Sequence, residues 1–174
     1  MTRSKHRALL PLLAAASAIL AAPSAAQDGA RPLQTGDLNS LATLEGKCVE
    51  LVVSDDDISS RCNGVVLNTV YKDGRLGFMF VAHDIATATF TGEHGPELRP
   101  ELRDESTIHL DRVILGTLKD NKSVPYTLPA NGTCVTTDPD FGPTKITCRA
   151  NTNHGLFSGS FVSNGAPPRT ERFQ

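Results

Sequence analysis

Gly46-Lys47-Cys48-Val49 and Gly132-Thr133-Cys134-Val135 are the stretches on which the reading of this chain turns. Each opens a unit that closes on a second cysteine, Cys62 or Cys148, after thirteen intervening residues. The middle of each unit is acidic and turn-forming: Ser54-Asp55-Asp56-Asp57 in the first, Asp138-Pro139-Asp140-Phe141-Gly142-Pro143 in the second. A chain folded back at these centres sets Cys48 opposite Cys62 and Cys134 opposite Cys148. Directly opposed residues on antiparallel strands lie within disulfide reach. The expectation is two local bridges, Cys48–Cys62 and Cys134–Cys148, each stapling a hairpin. A closed loop of about 15 residues contributes roughly 3 kcal/mol in the chain-entropy model. The spacing lacks the short Cys-x-x-Cys knuckles of zinc sites, and no metal or other cofactor is expected. Beyond its second cysteine each unit reaches a Gly-and-Phe strand, Gly77-Phe78-Met79-Phe80-Val81 or Gly155-Leu156-Phe157-Ser158-Gly159-Ser160-Phe161-Val162. A diverged duplication and a convergence on stapled hairpins both fit this pattern.

Paired cysteines imply an oxidising compartment, and the first residues agree. Arg3, Lys5 and Arg7 precede an Ala- and Leu-rich run from Ala8 to Ala22, and Ser24-Ala25-Ala26 supplies small residues for cleavage before Gln27. Residues 1–26 therefore read as a signal peptide. The run is short and carries Pro11 and Pro23, so no membrane span is expected. The signal holds three of the 17 basic residues and none of the 19 acidic ones, which leaves the mature chain at a net charge of −5. That is a poor match to nucleic acid, whose phosphates need a basic face. The expected compartment is periplasmic or secreted, in a bacterium, and the expected partner another exported protein or an envelope component.

The mature chain has the length of one domain. Residues 27–36 read as a flexible leader, 37–164 as a single β-rich domain and 165–174 as a flexible tail with no core residues. Asp37 can cap a short helix over 37–45, with Leu38, Leu41 and Leu44 on one face and Gly46 ending it. From Lys47 onward short strands alternate with turns. They are expected over 47–53, 58–71 with a bend near Asn63-Gly64, 75–83, 85–92, 108–118, 133–137, 144–153 and 155–163. Lys72-Asp73-Gly74 is a hairpin signal. The apolar face slips at Asp111-Arg112, as a β-bulge requires. Two long polar segments, 93–107 and 119–131, carry two prolines each and read as loops. Together these features predict an all-β fold, an antiparallel β-sandwich or small β-barrel of about eight strands, with one short N-terminal helix and two disulfide-stapled hairpins.

Nothing in the sequence names a reaction. Asp55-Asp56-Asp57 lacks the spacing of a calcium loop and reads as a solvated hairpin tip. His83-Asp84 and His109 with Asp111 are titratable pairs in or beside strands, and they are the candidates for acid–base chemistry. Gly155-Leu156-Phe157-Ser158-Gly159 is one residue out of register for a nucleophile elbow. The preferred expectation is an exported soluble binding or interaction module without catalysis, its contact surface borne by the 93–107 loop and the hairpin tips. The alternatives are a small exported hydrolase using His83, Asp84, His109 and Asp111, and a carrier of a small apolar ligand inside a barrel.

Overall fold

The computed structural model describes residues 37–83, 86–95, 105–119, 122–138 and 142–173. Ten strands lie in these segments: β1 (Leu38–Val53), β2 (Asp56–Asp57), β3 (Cys62–Tyr71), β4 (Leu76–Ala82), β5 (Ala86–His94), β6 (Glu105–Lys119), β7 (Lys122–Thr137), β8 (Lys145–Thr152), β9 (Gly155–Ser163) and β10 (Arg169–Arg172). Eight of them form a closed antiparallel barrel in the order β1-β3-β4-β5-β6-β7-β8-β9, with β9 returning to β1. β2 and β10 are short additions to β1. Of sandwich and barrel, the chain forms the barrel.

β1 closes it by changing partner. Its first half pairs with β3 as far as Glu45↔Val65, and its second half pairs with β9 from Gly46↔Ser163. A Cβ at Gly46 would lie 2.1 Å from the Val162 carbonyl oxygen, so a residue without one is needed for β9 to approach. This corrects the expected helix over 37–45. Its leucine period of three is local, and a helix of two turns is marginal unaided. The same residues instead find a ladder to β3 on one edge and to β10 on the other.

The two bridges follow the expected pairing. Cys134 and Cys148 are direct partners in the β7–β8 ladder, with Cα atoms 4.0 Å apart. Cys48 and Cys62 have Cα atoms 5.9 Å apart and tie β1 to β3 where the two strands diverge. The first hairpin tip is a two-residue turn, Ser54-Asp55, with φ of 55° and 69°. Two consecutive positive φ values define the turn type that matches strand twist. This tip is docked as well as acidic: the Asp55 N–H donates to Leu156 O, and the Leu156 N–H donates to Asp55 Oδ1, both at 3.0 Å.

Alternation along the strands fills the centre. Phe78, Phe80, Phe90, Val66, Leu51, Val113, Leu128, Ile146, Phe157 and Phe161 are buried in one cluster. The rings of Phe80 and Phe90 meet edge to face with centroids 5.6 Å apart. Across the barrel the Phe80 ring lies against Gly159, where a Cβ would sit 2.7 Å from its Cζ. Glycine therefore makes room for a ring that occupies the middle of the interior.

The inward face of β6 slips as expected: against β5 the register shifts between Leu110 and Arg112, with Asp111 as the extra residue. One expected loop and the tail are corrected, and a second expected loop is shortened at both ends. Residues 122–131 are strand, part of β7, despite Pro125 and Pro129. β8 pairs with residues 130–136 of β7, so among the described residues the proline-bearing part has a paired strand on one side only. The two prolines share a parity, and such an edge tolerates residues that cannot donate. The expected 93–107 loop begins in β5 and ends in β6, and residues 96–104 between them lie outside the described residues. Arg169–Arg172, placed in the tail, forms β10 and pairs with Ser40–Thr43 of β1. All four of its residues are exposed, in keeping with a segment that adds no core.

Candidate functional site

Strand direction sorts the chain between the two ends of the barrel. The β1–β2 tip, the β4–β5 turn at His83 and the β8–β9 turn at His154 lie at one end. The β3–β4 hairpin, the last residues of β5, β7 and β9, and the first residues of β6 and β8 lie at the other.

This arrangement separates the histidine candidates. His83 is exposed beside the Ala82↔Ala86 pair, and its N–H donates to Arg61 O at 2.9 Å. His109 pairs with Glu93 seven residues further along β5. At ~3.3 Å per residue the two histidines are roughly 20 Å apart along the sheet. Asp84 lies outside the described residues. The His109 ring packs beside Gly95, where a Cβ would come within 2.0 Å of its Cδ2. Among the described residues no group of three or more His, Cys, Asp or Glu is gathered as a metal site needs.

Asp111 is held in an ion-pair network on the outside of the wall. It bonds to the Arg75 guanidinium and to Arg112 Nε at 3.1 Å. Arg75 also reaches Asp73 at 3.2 Å and Glu93 at 3.7 Å. The partial burial of Asp111 pushes its pKa up, but hydrogen bonds from Arg112 and Arg75 outweigh that and hold the carboxyl below its ordinary value. Asp111 therefore stabilises the bulge. Because its folded pKa is depressed, its contribution is present above the unfolded pKa near 3.9 and is lost as pH falls through the folded value. Urea midpoints measured from pH 6 down to pH 2 should fall less steeply in Asp111→Asn than in wild type. The contribution is at most about 1 kcal/mol for so exposed a pair. Identical slopes would refute this role.

An open cleft of about 730 Å³ lies at the second end of the barrel. It arises from the alternation that builds the core. Ala42, Asn68 and Phe78 are direct cross-strand partners on β1, β3 and β4, and with Leu44 they form an apolar floor interrupted by one amide. On the opposite side the inward positions turn polar toward the strand ends. Ser106 follows the parity of Ile108, Thr136 that of Cys134, Thr144 that of Ile146, and Ser163 that of Phe161. The Ser163 hydroxyl oxygen accepts the Thr144 N–H at 2.8 Å, which fixes this wall. Ala166, Pro167 and Pro168 complete it, anchored where β10 pairs with β1 and Arg169 meets Glu45 at 2.6 Å. Glu105 and Asp138 stand at the rim.

Of the floor residues, the sequence named Leu44 only as a helix face and Phe78 only within its Gly-and-Phe strand, and pointed to neither Ala42 nor Asn68. Their signal is an inward Ser, Thr or Asn at one end of successive strands, which becomes readable only once the register is known. The fold and cleft together define a class: a disulfide-bonded, eight-stranded meander barrel with a packed centre and an open mouth. No family model, curated protein or solved structure matches this chain, so the class is defined by its own geometry. Among the described residues no helix is long and apolar enough to cross a membrane.

Proposed function

We propose that this chain is an exported binding module that accommodates one small ligand in the mouth of the barrel. The observation that carries this reading is the cleft of about 730 Å³ over the floor of Leu44, Phe78 and Ala42. Ligand sites commonly enclose ~300–1,000 Å³, mostly apolar with a few placed polar groups. Eight-stranded barrels either fill with side chains or hold one small ligand. Here the Phe80–Gly159 contact fills the middle and leaves the mouth for a ligand. Export is supported by the two disulfides, which are consistent with an oxidising compartment, and by the signal-like first 26 residues. The hydrolase reading loses support because His83 and His109 are held at opposite ends of β5.

The test uses protein purified without detergent. Nile red should bind saturably, with a stoichiometry of one, and native mass spectrometry should detect a one-to-one complex with a bound amphiphile. Ala42→Trp places an indole in the cleft and should weaken dye binding by at least about ten-fold, a loss of roughly 1.4 kcal/mol, with little change in Tm. Unsaturable dye binding, or saturable binding untouched by Ala42→Trp in a folded variant, defeats the proposal.

A further inference from the structure

We infer that Phe78 sets the depth of the cleft and, with it, the longest hydrocarbon tail that the ligand can carry. This rests on the barrel-mouth reading above and adds the size of the ligand. Alternation along Leu76–Ala82 turns Phe78 and Phe80 to the same inward face of β4, ~7 Å apart along the strand. Of these two rings, only that of Phe78 lines the cleft. Phe78 is 2% exposed and Phe80 0%, so the cleft ends at the edge of one ring and the packed core begins there.

Its neighbours hold that ring in place. Phe78 pairs directly with Asn68 of β3 and with Phe90 of β5. Phe90 is fully buried and meets Phe80 edge to face, and Phe80 reaches across the barrel to Gly159. The space behind Phe78 is therefore taken up by other rings, at the density to which protein interiors pack. A tail lying on Ala42 and Leu44 leaves water progressively until it meets the Phe78 ring. Each further methylene must then stay outside the floor or force the core apart, and overpacking is costly. The limit is set by β1, β3 and β4, and it does not depend on what stands at the rim.

The experiment holds the head constant and varies the tail. Straight-chain primary alcohols from hexanol to tetradecanol are titrated against the Nile red complex of detergent-free protein, each below its solubility limit. With wild type, each added methylene should lower the displacing concentration by about four-fold until a limiting length, after which the gain stops. Phe78→Ala should move that limit to longer alcohols. The first alcohol beyond the wild-type limit should then bind the variant about four-fold more tightly than the one before it. Phe157→Ala removes another fully buried ring, one that does not line the cleft. It should lose stability and keep the wild-type limit, which separates depth from loosened packing. Phe78→Leu should move the limit the same way by a smaller step, and it decides the matter if Phe78→Ala does not fold. A limit unmoved in the folded Phe78 variants, an equal shift in Phe157→Ala, or no limit in wild type overturns the depth inference while leaving the cleft as a binding site. Failure of every alcohol to displace a saturably bound dye, or the absence of such dye binding, overturns the binding reading itself.

Discussion

Phe80→Ala should lower the unfolding free energy by about 3–5 kcal/mol, the range for removing a fully buried aromatic ring. Phe80 has no exposure, meets Phe90 edge to face, and spans the interior to Gly159. Single domains are typically stable by only ~5–15 kcal/mol, so this one change removes a large share. The contact with Gly159 makes the result checkable in a second way. Gly159→Ala alone pushes a methyl to 2.7 Å from the Phe80 ring and should cost about 1–3 kcal/mol as overpacking. In the Phe80→Ala background that methyl enters vacated space, and its penalty should vanish. Urea denaturation of the four proteins forms a cycle whose coupling energy reports the contact. Additive effects would mean that the ring does not lie on Gly159.

Opening both disulfides should cost the next largest amount, about 2–4 kcal/mol for each bridge. The two should open in order. Cys134 and Cys148 are 0% and 1% exposed, whereas Cys48 and Cys62 are half-buried at the diverging strands. A thiolate must reach sulfur to exchange, so access controls the rate. Alkylation after graded treatment with dithiothreitol should label Cys48 and Cys62 first, and Cys134 and Cys148 only as the barrel unfolds. Peptide mapping of the unreduced protein, cut at Arg61 and Lys145, should recover each bridge as a linked local pair. Simultaneous labelling of all four cysteines would remove the ordering. The barrel should remain closed with the first bridge open, because β1 is held to β3 and β9 by backbone ladders on either side of Gly46.

What was legible came from short-range chemistry. Lys72-Asp73-Gly74 announces its turn because Gly74 adopts a φ of +88°, which an L side chain resists. The bulge at Asp111 shows in the parity change between Leu110 and Val113. The cysteine pairs are legible because each brackets its own turn. The failures were of one kind as well. Residues 37–45 have a helical leucine spacing and residues 122–131 carry prolines, yet both are strands. In each case the deciding circumstance lies outside the segment: β3 and β10 flank the first, and among the described residues the second is paired on one side only. Propensity is a weak prior beside such pairing.

The same division holds for the site. The sequence by itself determined an all-β chain with two local disulfides, a bulged strand and apolar alternation sufficient for one core, because each of these is written within a span of about fifteen residues. Only the tertiary structure decided that the sheet closes, since closure rests on β1 leaving β3 for β9 at Gly46, more than a hundred positions from Ser163. It also decided that Asn68 shares a floor with Ala42 and Phe78, and that His83 and His109 never meet. Register converts a residue's parity into a direction, inward or outward, and its position into one end of the barrel or the other. That conversion requires every neighbouring strand to be in place, which is why the cleft belongs to the fold and not to any one stretch of the chain.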